Sequence, residues 1–298
     1  MSTPNEAMAG APTLARRRGS GTLWPTLRAI YIIWYRDILR FWRDRTRLLA
    51  TFAQPLLYLL IFGTGLSSAL SGAGGFGGAG APPGFSYTQF IFPGIMGMSV
   101  LFSSMFAAVS IVWDREFGFL KEVLVAPIDR SAVAIGKALG GATQAMAQGL
   151  ILLVLAPFVG VKLTIASVLI IIPLVFVLAF ALSAMGVAIA SRMRSMQGFQ
   201  MVMNFLVMPM FFLSGALFPL SGLPAWMTFL TRIDPAAYGI DPLRRVLLDG
   251  AGMPAQVLDR LSLTIGGSTI PIVAEVGILL AFGIVVLGIA VRNFRVRD

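Results

Sequence analysis

The sequence predicts an all-α integral membrane protein. It has six transmembrane helices, an N-terminal amphipathic elbow helix, a short cytoplasmic helix, and outer re-entrant helices between spans five and six. Three observations predict it. Of 298 residues, 57% are hydrophobic and only 12% are charged, about half the charge a soluble domain carries. Charge-free stretches long enough to cross a bilayer as helix recur along the chain. The basic residues gather in alternate loops.

The elements follow in order. Residues 1–21 are Gly, Ala, Pro, Ser and Arg without periodicity and read as a disordered cytoplasmic tail. Residues 22–298 read as one transmembrane domain. Arg16-Arg17-Arg18 resembles a twin-arginine signal. The apolar run after it is broken by Arg28, Arg36 and Arg40, and no small-residue cleavage site follows, so no signal peptide is expected. Residues 23–47 are amphipathic. Leu27, Ile30, Tyr31, Trp34, Ile38 and Phe41 share a face, with Arg36, Arg40, Arg43, Asp44 and Arg47 opposite. Trp24, Trp34 and Trp42 suit the headgroup layer, so this helix is expected to lie in the interface. An anchor and a contact with a cytoplasmic partner are compatible roles for it.

The spans are placed at about 48–70, 88–113, 138–160, 164–190, 196–218 and 270–291. Between the first two, Ser71–Gly84 is half glycine with Pro82-Pro83 and reads as a flexible outer loop. Gln54-Pro55 would kink span one. With the N-terminus inside, 18 of the 23 Lys and Arg residues fall on the cytoplasmic side, so both termini are expected there, in a plasma (inner) membrane. The net charge of +10 is then explained by topology and anionic lipid, and nucleic acid is not expected as a partner.

Two segments are neither span nor plain linker. The loop 114–130 carries Asp114, Arg115, Glu116, Lys121, Glu122, Asp129 and Arg130. Phe117, Leu120 and Leu124 share one helical face, and Pro127 ends the helix. Such a helix fits a groove on a soluble protein; an ordinary solvated loop is the alternative. The outer segment 219–269 alternates apolar patches with Pro219, Pro224, Pro235 and Pro242. Short helices that dip into the membrane and pack on protein are expected there.

The missing residues exclude chemistry. The chain has no Cys and no His, hence no thiolate nucleophile, no Ser-His triad and no His-ligated zinc. No Walker A pattern is present; Gly136-Lys137 lacks its upstream glycine and is followed by Ala138. ATP hydrolysis is therefore not expected of this chain. Glu275 is the one acid placed inside a span, Lys137 is placed at an inner end where its amine can snorkel, and every Asp is placed in a loop or terminus. An intramembrane protease is thereby disfavoured. An ion-coupled secondary transporter remains the alternative reading.

In span five, Gln197, Gln200 and Asn204 share a face, surrounded by Met208, Phe211 and Phe212. In span three, Gln144 and Gln148 lie one turn apart. Helix–helix hydrogen bonding is one reading of these amides; a polar stripe along a translocation path is the other. Gly136-x-x-x-Gly140 permits close helix approach.

The run Asp114-Arg115-Glu116-x-Gly118-x-Leu120-x-Glu122-x-Leu124, closed by Pro127, resembles the cytoplasmic coupling segment of type-2 ABC transporter permeases. The run from Phe211-Phe212-Leu213-Ser214-Gly215 through Pro219, Pro224-Ala225-Trp226 and Asp234-Pro235-Ala236-Ala237-Tyr238 is similar to that family's fifth-span exit and re-entrant segment. The Gly-rich outer loop is not part of the family pattern. The resemblance covers about 22–298 and implies the membrane subunit of an ATP-driven exporter of drugs, lipids or polysaccharides. It implies two copies paired as a homodimer, and two copies of a separate ABC ATPase that bind ATP and Mg, with no cofactor on this chain. It implies that Arg115, Glu116, Phe117, Leu120, Lys121, Glu122 and Leu124 couple to the ATPase. Pro219, Pro224, Trp226, Asp234, Pro235 and Tyr238 would then form an outer gate.

Overall fold

The computed structural model describes residues 23–71, 86–117, 129–220, 223–250, 252–265 and 268–296. The helices, in chain order, are α1 (Leu23–Arg43), α2 (Arg45–Ser71), α3 (Tyr87–Ala107), α4 (Val109–Glu116), α5 (Arg130–Leu155), α6 (Ile165–Ala190), α7 (Met196–Leu213), α8 (Ala225–Ile233), α9 (Ala237–Gly250), α10 (Ala255–Leu261) and α11 (Ile272–Val296). A small antiparallel hairpin, β1 (Thr264–Ile265) with β2 (Ser268–Thr269), precedes α11. Among the described residues, five helices are long and apolar enough to cross a membrane: α3 with α4, α5, α6, α7 and α11. In α2 the apolar stretch is shorter, Phe52–Leu66.

α3, α5 and α6 pack on one another and form the centre. α11 lies against α6 and α5, α1 against α5, and α2 against α3. α9 crosses over α6, α3 and α11. Two-thirds of the apolar window of α3 is buried, against 28% for α7 and 17% for α11. α3 is thus a core helix, while α7 and α11 turn most of their apolar surface outward, as lipid or a protein partner permits.

Local sequence explains the helix starts. Ser86 and Gln89 form a capping box at α3, and Thr164 with Ser167 does the same at α6. Asp129 caps α5: its carboxylate accepts a hydrogen bond from the Ser131 N–H at 3.0 Å. That bond holds the Asp129 carboxyl below its ordinary value, and Arg295 adds to the effect. The Asp129→Ala variant should lose about 1 kcal/mol of stability at neutral pH. Because the folded-state pKa is the depressed one, the advantage of Asp129 is full above the ordinary value of 3.8 and fades as pH falls through the lower folded value. Unfolding of both proteins at pH 7 and at pH 3 checks this: the difference should shrink at the lower pH.

Several boundaries differ from the sequence expectation. Span two is not one helix to residue 113; it breaks at Ala108 and continues as α4. Span three starts at Arg130 rather than about 138, because Lys137 lies within the helix instead of marking its end. Span five stops at Leu213 and is followed by bends. Span six runs on to Val296.

α1 turns a stripe of its own toward the protein. The buried positions are Ala29, Ile33, Asp37 and Phe41, whereas Leu27 and Tyr31 are exposed. The bulkiest side chains point away from the protein because the surroundings there need not be water. The small stripe lies where Gly136 and Gly140 of α5 let α1 approach. A Cβ on Gly136 would sit 3.0 Å from Ile33, and one on Gly140 would sit 3.2 Å from Asp37. Trp34 completes the contact by donating from Nε1 to the Thr143 hydroxyl at 3.0 Å. The tail 1–21 and the Gly-rich loop lie outside the described residues, except for Ser71 at the end of α2.

Candidate functional site

The close approach of α1 and α5 has an electrostatic purpose. Lys137 is 5% exposed and does not snorkel. Its ammonium lies 3.2 Å from Asp37 Oδ1, 3.2 Å from Asp114 Oδ2 and 2.9 Å from Ser110 Oγ. Three donors meet three acceptors, so the buried charge is satisfied. Arg36 closes the group from its exposed side, 3.4 Å from Asp114 and 3.8 Å from Asp37. Two cations and two carboxylates balance, as a low-dielectric setting requires. Asp37 and Asp114 are both buried on helices, which corrects the assignment of every Asp to loops. The cluster joins α1, α4 and α5.

α4 is tied further. Arg115 donates to the carbonyls of Ser191 and Met193, at 3.1 and 2.6 Å. Glu116 accepts from the Met196 N–H at 3.0 Å, where a carboxylate also complements the start of α7. Ser191 in turn accepts from Asn293 of α11 at 2.9 Å. Of the expected coupling residues, Arg115 and Glu116 therefore bond within the chain, and Phe117 is exposed beside Trp113. Leu120, Lys121, Glu122 and Leu124 lie outside the described residues.

A second buried cluster sits at the other end of the bundle. Arg245 donates from Nε and Nη2 to Asp241 Oδ2, at 3.1 and 2.8 Å, and from Nη1 to the Ile270 carbonyl at 2.7 Å. Its Nη2 also lies 2.6 Å from Glu275 Oε1. Asp241 Oδ2 further accepts from the Leu263 N–H at 3.1 Å. Arg244, 1% exposed, bonds the Gly215 carbonyl and sits 4.9 Å above the Phe90 ring. α9 is thereby fastened to α11, to the hairpin and to the exit of α7. Asp241 belongs to a helix here too, not to a loop.

The expected path residues divide. Gln197, Gln200, Asn204, Met208 and Phe212 face outward on α7, while Phe211 is buried edge-on against Phe102 of α3. In span three, Gln144 donates to the Asp37 backbone carbonyl at 3.3 Å, so this amide joins two helices. Of the expected outer-gate residues, Asp234 and Tyr238 are buried, and the Tyr238 hydroxyl donates to the Arg232 carbonyl at 2.8 Å. Pro219 and Pro235 are half-buried; Pro224 and Trp226 are exposed.

Sequence reasoning missed Asp37, Asp114 and Lys137 as a group, and Asp241, Arg245 and Glu275 as another. One signal was available for the first: a lysine bracketed by Gly136 and Gly140, where a second helix must come close, needs a carboxylate from that helix.

The chain matches the family model described as ABC-2 type transporter over residues 28–248, from α1 to the last turn of α9. The chain belongs to this ABC-2 type transporter family. It is similar to the inner membrane transport permease YadH of Escherichia coli (strain K12), 25% identical over 259 residues, 85% of this chain and 90% of the relative. It is 25% identical over 220 residues to the putative transport permease ycf38 of Cyanophora paradoxa, 73% of each chain. Nodulation protein J of Rhizobium meliloti (strain 1021) is 26% identical over 220 residues, 72% of this chain and 80% of the relative. As an ABC-2 member with five apolar span-length helices, the chain is an integral membrane protein and a component of a transport system.

Proposed function

We propose that this chain is the membrane-spanning permease subunit of an ATP-driven exporter that moves an amphiphilic substrate out of the cytoplasm or inner leaflet. Two copies pair, and two copies of a separate ABC ATPase bind ATP and Mg²⁺ on the cytoplasmic side. The α1–α4 end and both termini face the cytoplasm, α2 supplies the sixth span, and α8 and α9 form the re-entrant segment. Segment 114–129 receives the push from the ATPase through Lys121, Glu122 and the Phe117, Leu120 and Leu124 face. Substrate moves along α7 past Gln197, Gln200 and Asn204, and leaves past Pro219, Trp226 and Tyr238.

One observation carries the reading. The helix that leads into the charged loop is bound by Asp114, Arg115 and Glu116 to α1, to α5 and to the α6–α7 turn. A displacement of the loop is therefore delivered to four elements at once. The two charge clusters lie toward opposite ends: Asn293, which bonds the Ser191 turn that holds Arg115 beside the inner cluster, is roughly 27 Å from Glu275 along α11 by helix rise. That separation argues against a proton relay across the bundle.

Glu122→Lys tests the coupling. The variant subunit should insert and assemble with its ATPase, while transport-stimulated ATP turnover and export fall by roughly tenfold or more. Undiminished export in that variant sinks the coupling role. Export driven by an ion gradient without ATP would replace the whole reading with an ion-coupled transporter.

A further inference from the structure

We propose that a half-open cavity between α1, α2, α3 and α5 is a binding site for an uncharged amphiphile bearing hydroxyl or amide groups. The inference rests on the permease reading above and names where such a molecule is first held.

The cavity measures about 310 Å³, within the range of small-molecule sites. Its polar lining is Gln54 of α2, Ser99 and Ser103 of α3 and Gln148 of α5, which donate and accept hydrogen bonds without carrying charge. Its apolar lining includes Phe41, Phe102 and Phe106. Phe102 and Phe106 are stacked, 6.2 Å between centroids and 12° between planes, and offer a flat aromatic wall. Among the described residues no charged side chain lines it, so a charged ligand would lose its hydration without a partner, whereas a hydroxyl or amide finds Gln and Ser groups.

Two further placements make it a site rather than a packing gap. A second cavity of about 250 Å³, lined by Asp37, Arg40, Asp44, Ser110 and Trp113, shares Phe41 with the first. Gln144 in the second and Gln148 in the first are one turn apart on α5. The charged and the uncharged cavity thus share the Phe41 ring, itself buried against the protein. On the far side, Phe102 meets Phe211 of α7 edge-on at 6.3 Å. Phe211 adjoins Phe212, 5.1 Å away, which faces outward with Gln200 and Asn204. The pocket therefore lies two aromatic contacts from the outward face of the proposed path.

The test uses the full chain in lipid nanodiscs without any ATPase and, as probe, decyl glucoside carrying a diazirine in its alkyl chain. Photolabelling should map to residues 41–55 and 98–106. Excess decyl glucoside should compete for it at least tenfold better than decyl sulfate or decyltrimethylammonium. Gln148→Leu should weaken labelling by about tenfold. Ser103→Trp, which fills the cavity from a half-buried position, should abolish it, and serves if Gln148→Leu does not fold. Labelling spread evenly over the exposed faces of α2 and α7, equal competition by the three head groups, or full labelling of folded Ser103→Trp each overturns the site. Those results leave the ATPase coupling standing, which Glu122→Lys judges separately.

Discussion

Lys137→Met will cost the protein about 3–5 kcal/mol of stability. Removal of the ammonium leaves Asp37 and Asp114 buried with no cation but the half-exposed Arg36, and leaves Ser110 without its 2.9 Å donor. Two carboxylates near one another in a dry site repel and lack hydration. The triple variant Asp37→Asn, Lys137→Met, Asp114→Asn removes the charges together and keeps the volumes, so it should stay within about 1–2 kcal/mol of the parent. Unfolding of the purified protein in detergent distinguishes the two. A Lys137→Met protein as stable as the parent would show that the cluster does not hold α1 to α5. In the exporter reading, the folded triple variant is the informative one for transport, because α1 and α5 then remain packed through Gly136 and Gly140 but lose their ionic tie to α4.

The class of the fold was legible because the bilayer imposes it. Low charge, spaced apolar runs and basic loops are consequences of a hydrocarbon solvent, and each is visible in composition and order alone. The same rules hid the charged sites. Lys137 was read as the inner end of a span, since a charge ordinarily ends one, and Arg244 and Arg245 fell in the outer segment as ordinary loop charges. A cation can lie inside when another helix brings a carboxylate, and sequence spacing between residues 37, 114 and 137 carries no trace of that contact. The protein-facing stripe of α1 was not legible for a related reason. A hydrophobic stripe marks the protein side of a helix only when the other side is water. Here Trp24, Leu27, Tyr31 and Trp42 are exposed while Asp37 is buried, so the outward surroundings accept apolar rings and the inward ones demand a carboxylate. The helices of the 225–261 segment were expected from their prolines, yet the fastening of α9 through Asp241 and Arg245 depends on Leu263, Ile270 and Glu275, which only the fold brings together.

Arg245→Met should cost about as much as the first variant, about 3–5 kcal/mol, and its damage should be local. Arg245 bonds Asp241 and the Ile270 carbonyl and pairs its charge with Glu275 at once. Without it two fully buried carboxylates face each other, and the hairpin loses one of its side-chain ties; the Leu263 N–H to Asp241 bond and the Arg232 bond to the Thr264 carbonyl remain. Hydrogen exchange over residues 255–271 should therefore rise well before that of α3 or α6. Arg245→Lys should not rescue, because a single ammonium cannot reproduce the fork on Asp241 together with the Ile270 bond. Arg245→Met combined with Glu275→Gln should recover most of the loss, since one orphaned charge is gone and Asp241 keeps its N–H donor. A double-mutant cycle on these two positions gives the coupling directly. A coupling near zero, or unchanged exchange in the 255–271 segment, would mean that α9 is held by packing on α6 and α3 alone, and the outer cluster would then have no part in positioning the exit.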